Sequence, residues 1–158
     1  DPSSVNFGSG DFTVETWVYP TRVNEGEDVI VALYEYQSDR RSWYIALDNA
    51  QLELRWSTAG TVATTVNSTN NPFTANQWHH VAMVRNGNTI TGYVNGLSVV
   101  SATEAGTLFF DPTGTVRIGR VGTATTSYLL GYIEDLRITK GLARYTTNFT
   151  PPSAPLEG

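Results

Sequence analysis

Along residues 12–19, FTVETWVY, apolar and polar positions alternate. Phe12, Val14, Thr16 and Val18 fall on one side; Thr13, Glu15, Trp17 and Tyr19 fall on the other. Period two over such a run marks a strand, because successive side chains of an extended backbone leave on opposite faces. Pro20 has no amide proton for a ladder and ends it. The same alternation runs through 51–56, where Leu52, Leu54 and Trp56 interleave with Gln51, Glu53 and Arg55. Residues 29–34 and 43–47 are short apolar runs suited to buried strands, and 61–66 is rich in β-branched side chains. Further strands are expected over 78–85, 89–94, 97–101, 115–120 and 128–138. Asp48-Asn49 offers turn chemistry between two of them. Asn86-Gly87 and Asn95-Gly96 signal hairpins closed by type I′ turns, whose two central residues need positive φ. About eleven strands, short connections and no helical periodicity predict an all-β, two-sheet antiparallel jelly-roll sandwich.

Composition narrows the partners. The 158 residues suit one domain, 1–158, able to bury roughly 70% of its extended surface. A formal charge of −5 argues against nucleic acid, whose phosphates need clustered Lys and Arg. Cysteine is absent, which removes disulfides and thiolate metal sites. No apolar run approaches the length of a membrane-spanning helix. The chain opens at Asp1-Pro2 without Met, as an excised piece of a longer protein would. Pro151, Pro152 and Pro155 make 151–158 a semi-rigid exit toward a further domain.

Residues 129–156 read LLGYIEDLRITKGLARYTTNFTPPSAPL. Together with Trp78-His79-His80-Val81-Ala82, Asn95-Gly96 and the Gly8-to-Thr13 segment, they resemble the laminin-G-like, concanavalin A-like lectin/glucanase jelly roll. The resemblance covers 7–156 and is strongest for the subgroup found in bacteriophage virion and tail-appendage proteins. It implies a virion or extracellular location, with a glycan or cell-surface polysaccharide and other subunits of a virion assembly as partners. It also implies one further strand ahead of Gly8, missing here or supplied by another chain. The family's structural calcium would fall on Glu134, where relatives more often carry Asp; a calcium sphere takes six to eight oxygens.

Candidate chemistry is sparse. Polysaccharide-cleaving relatives carry Glu-x-Asp-x-x-Glu, which is absent here, and glycoside hydrolysis needs two carboxylates facing one cleft. Glu134 and Asp135 are adjacent, so a regular strand sends them to opposite faces. His79 and His80 diverge in the same way and cannot share one zinc; one is expected half-buried and the other exposed. No catalytic residues are assigned.

The densest aromatic-polar stretch is 33–44, LYEYQSDRRSWY. Exposed aromatic rings beside hydrogen-bonding groups are what sugar rings dock on. Tyr36 and Trp43 are therefore expected as stacking platforms, with Asp39 and Arg40 as hydrogen-bonding partners. Residues 123–128 would complete that rim. Trp17, Trp56, Trp78, Tyr93, Tyr132 and Phe149 are expected in the core. Tyr145 and Phe149 are read as plugs at one sandwich edge, with Arg144 pairing a carboxylate beneath. The reading is a non-catalytic binding and display module of a larger virion or extracellular protein, serving glycan attachment. A purely structural decoration module is the alternative, and a polysaccharide-active enzyme is third.

Overall fold

Two five-stranded antiparallel sheets pack face to face in the computed structural model, which describes residues 2–122 and 126–157. In chain order the strands are β1 (Phe12–Pro20), β2 (Glu27–Glu35), β3 (Arg40–Asp48), β4 (Gln51–Trp56), β5 (Thr64–Asn67), β6 (His79–Asn86), β7 (Thr89–Val94), β8 (Leu97–Thr103), β9 (Arg117–Ile118) and β10 (Gly131–Lys140). The first sheet runs β10-β1-β6-β7-β8 and the second β5-β4-β3-β2-β9. The expected jelly-roll sandwich is present. A single 3-10 turn, Pro2–Val5, is the only helical element among the described residues.

Alternation decides who enters the core. Phe12, Val14 and Val18 of β1 meet Leu52, Leu54 and Trp56 of β4 between the sheets, with Ile45, Leu47, Val81, Met83 and Ile90. Phe7 stacks on Phe12 with centroids 4.1 Å apart and packs against Trp43 at 5.4 Å. Each such side chain, once buried, stabilises the fold by roughly 1.5–3 kcal/mol. The outer faces are covered too. Val29, Ala32, Tyr34, Tyr44, Ala46 and Val121 form a second apolar cluster on the second sheet. Ala82, Val84 and Tyr93 form a third on the first sheet, beneath Ala143, Tyr145 and Phe149.

The turns refine the expected hairpins. Asn95 and Gly96 have φ of 52° and 77°, the type I′ pattern. A Cβ on Gly96 would lie 1.8 Å from the Phe149 carbonyl oxygen, so glycine is needed for approach as well as for φ. The preceding hairpin turns one residue later than expected, because Asn86 still pairs with Thr89. Only Gly87 there has positive φ, at 58°, as in a type II′ turn. Likewise Asn49 and Ala50, not Asp48-Asn49, make the β3–β4 turn, with φ of 47° and 66°.

Among the described residues ten strands form, against the eleven or so expected, and three of them shift or shrink. The stretch 61–66 is strand only from Thr64, and 128–138 becomes Gly131–Lys140. Of 115–120 only Arg117–Ile118 is strand, though Gly119, at φ 73°, still donates its amide to the Ile30 carbonyl at 2.8 Å.

After β10 the chain doubles back over the outer face of the first sheet. Thr13 Oγ1 donates to the Leu142 carbonyl at 3.0 Å, and Phe149 N donates to the Gly96 carbonyl at 2.9 Å. Ser98 N donates to Asn148 Oδ1 at 2.9 Å, and Arg137 Nη1 donates to the Glu157 carbonyl at 2.7 Å. The Pro-rich residues 151–157 thus run back along β10, where the Leu156 amide also meets Asp135 Oδ2 at 3.4 Å.

Candidate functional site

The stretch 33–44 does not form the expected platform. Trp43 is 0% exposed and belongs to the core between the sheets, whereas Tyr36 sits on the outer face of the second sheet beside Tyr44. One ligand cannot touch both. The reason is strand parity: β3 begins at Arg40, so Trp43 points inward and Tyr44 outward. Asp39, at φ 50°, forms the hairpin tip and pairs with Arg41 at 3.1 Å. Arg40 turns away to Thr113 Oγ1 at 2.9 Å and Asp111 at 3.5 Å. Of the expected rim 123–128, residues 123–125 lie outside the described residues.

Tyr36 belongs to a polar network on that outer face. Its hydroxyl donates to Glu27 Oε1 at 2.9 Å, and the Arg55 guanidinium lies 4.8 Å from the Tyr44 ring centre. The Tyr44 hydroxyl lies 2.7 Å from Glu27 Oε2 and 2.6 Å from Glu53 Oε1. One hydroxyl proton cannot serve two carboxylates. Glu53 Oε1 also takes Arg55 Nη2 at 2.8 Å, and burial pushes the Glu53 carboxyl above its ordinary range despite Tyr44 and Arg55. Burial also raises Tyr36, to about 12.

A second network lies beneath the returning C-terminal segment. Glu15 and His80 are both fully buried. Glu15 Oε1 accepts from Arg137 Nε at 2.9 Å and Nη2 at 2.8 Å; Oε2 accepts from the Tyr145 hydroxyl at 2.7 Å and His80 Nε2 at 3.1 Å. Burial alone would raise the Glu15 carboxyl. The hydrogen bonds from His80, Tyr145 and Arg137 outweigh it and hold the group below its ordinary 4.5. Two expectations change here. Neither histidine is exposed: His79 faces the core side, where Nδ1 lies 3.1 Å from Asn95 Nδ2, and His80 is roofed by Tyr145 and Phe149. Arg144 pairs with no carboxylate among the described residues; its Nε donates to Thr139 Oγ1 at 2.8 Å, and Arg137 takes the role expected of it. Tyr145 and Phe149 stack at 3.6 Å over the sheet face, not at an edge.

The open site lies at the end of this same face. Tyr19 and Tyr132 are direct partners across β1 and β10, with ring centres 5.8 Å apart, and Tyr19 meets Trp78 at 5.5 Å. Trp78 is 42% exposed and Tyr132 65%, so both leave the core expected of them. β10 then bulges: Glu15 pairs with Arg137, but Trp17 pairs with Glu134. Asp135 absorbs the extra residue at φ 54°, a left-handed conformation that Asp tolerates better than most residues. Thr16 Oγ1 donates to the Glu134 carbonyl at 2.8 Å, satisfying a group the bulge frees from the ladder. A regular strand would send Glu134 and Asp135 to opposite faces. The bulge lets both line one cavity of about 570 Å³, with Trp17, Trp78 and the wall formed by residues 151–155. The sequence carried a signal for this site: alternation already placed Trp17 and Tyr19 opposite the core-facing Phe12, Val14 and Val18.

Glu134 thus borders the groove. No group of three or more His, Cys, Asp or Glu side chains converges there among the described residues, so a calcium at Glu134 would draw most of its six to eight oxygens from main-chain carbonyls and water.

Two sheets with a ligand-sized aromatic groove on an outer face define a jelly-roll β-sandwich module. The chain belongs to the Concanavalin A-like lectin/glucanases superfamily, which matches residues 2–143. That match ends ahead of the Pro-rich wall of the groove. No curated protein matches the sequence. Similar solved structures include a putative carbohydrate binding protein from Bacteroides ovatus ATCC 8483, at 19% identity and TM-score 0.68, covering 89% of this chain and 40% of that one. The botulinum neurotoxin serotype D binding domain follows at 17% identity and TM-score 0.63, covering 85% of this chain and 35% of that one. A heptameric SAP-like pentraxin from Limulus polyphemus shares 16% identity at TM-score 0.63, covering 86% of this chain and 67% of that one. The chain thus spans well under half the length of the first two. At these identities the likeness is one of fold.

Proposed function

We propose that this domain is a non-catalytic glycan-binding module of a larger virion or extracellular protein, and that the groove beside Trp78 and Tyr132 is its binding site. The observation that carries the reading is one cavity that brings Trp17 and exposed Trp78 together with two carboxylates, with exposed Tyr132 reached from Trp78 through Tyr19. Sugar rings present apolar C–H faces to an aromatic ring and hydroxyl donors to a carboxylate, so the arrangement suits them. The Bacteroides ovatus putative carbohydrate binding protein and a ganglioside-interacting botulinum neurotoxin type C, both of similar fold, support it.

A glycan-array screen of the domain, followed by titration of the best ligand, tests the reading. Trp78→Ala and Tyr132→Ala should each weaken binding by about 1–3 kcal/mol while shifting thermal unfolding little, because exposed rings add little to the core. Undiminished binding by both variants would place the ligand elsewhere. An array with no ligand at all would return the domain to the decoration role.

A further inference from the structure

We propose that the groove prefers glycans carrying free amino groups and turns away acidic ones. This rests on the glycan reading above and adds the charge of the ligand to it. The cavity is lined by Glu134 and Asp135 and by no lysine or arginine. Arg137, two residues along β10 from Asp135, cannot compensate. Its guanidinium is engaged by Glu15 through Nε and Nη2 and by the Glu157 carbonyl through Nη1. Among the described residues Glu134 makes no ion pair, and the one contact of Asp135 Oδ2 is the Leu156 amide, at 3.4 Å. The aromatic lining acts in the same direction. A ring face attracts a cation through its quadrupole, and Trp17 and Trp78 border the two carboxylates. A uronate or sulfate seated there would meet like charge with no counter-ion, while an ammonium would meet both carboxylates and an aromatic face. Both acids reach the groove only because the bulge breaks the alternation of β10.

Calorimetric titration of the whole chain with oligomers of glucosamine, N-acetylglucosamine and galacturonic acid, matched in length, separates the possibilities. The pH should be mildly acidic, where the amines are charged and the uronates ionised. The expected order is glucosamine about fivefold tighter than its N-acetyl counterpart, the worth of one partly exposed charge pair, with galacturonate silent. The Glu134→Gln, Asp135→Asn double variant should erase that preference while still binding the N-acetyl oligomer. Asn accepts the left-handed backbone that position 135 requires. Trp78→Ala should lose the glucosamine oligomer; if the preference survives in that variant, it is a property of the net charge and not of the groove. Equal affinity for amino and N-acetyl sugars, or tighter binding of galacturonate, would overturn the charge preference and leave the glycan site standing. No binding by any of the three would overturn the charge preference, while the glycan reading itself is decided by the array.

Discussion

Replacing Glu15 with alanine is expected to cost the domain about 3 kcal/mol or more of unfolding free energy, measured by urea denaturation. The carboxylate is fully buried and satisfies Arg137, His80 Nε2 and the Tyr145 hydroxyl together. Its removal strands a cation and two donors beneath the C-terminal segment, and desolvated groups without partners are expensive. The pH dependence follows from the direction of its shift. A carboxyl held below its ordinary 4.5 in the folded state contributes stability that is present above that value and lost as pH falls through the folded one. The difference between wild type and Glu15→Ala should therefore narrow as pH drops below about 4.5. A constant gap across that range would mean that the carboxylate is not the ionised hub described. Glu53 has the opposite sign. Its raised carboxyl stabilises the fold at low pH and loses that contribution as pH rises through its folded value, so Glu53→Gln should gain relative stability at neutral pH.

Trp43→Ala should destabilise the domain by about 3–5 kcal/mol, the cost of emptying an indole-sized space in a close-packed core. Trp43 lies between the sheets against Phe7, and its Nε1 has no hydrogen-bond partner among the described residues. Trp43→Phe should then recover much of the loss, because it refills part of the volume and removes an unsatisfied donor. Thermal unfolding of the two variants beside Trp78→Ala checks the assignment. Equal small shifts for Trp43→Ala and Trp78→Ala would contradict the placement of the two indoles.

The outer-face cover explains why several sequence expectations missed. Reading β4 as alternating set Leu52, Leu54 and Trp56 on one face, which is the core face, yet Glu53 on the other face is also buried, by Tyr44 and its neighbours. One of His79 and His80 was expected open to solvent on strand logic alone; residues 141–157 return across His80 from a position far along the chain. Exposed Trp78 and Tyr132 looked like core because aromatic residues in strands usually are. Nothing local reports that the face they occupy is left uncovered at one end.

Local periodicity and turn chemistry were enough to determine the all-β class, the meander β6-β7-β8 and the inward set of β1 and β4, because those depend on neighbours two to four residues apart. The register of the turns, the end of each edge strand, the roof over Glu15 and the bulge at Asp135 were decided only by the tertiary structure. Each depends on a partner distant in sequence: Phe149 against Gly96, Tyr145 on Glu15, Trp17 opposite Glu134. The groove belongs to this second group, since its two acids meet only where pairing with β1 forces β10 to take an extra residue.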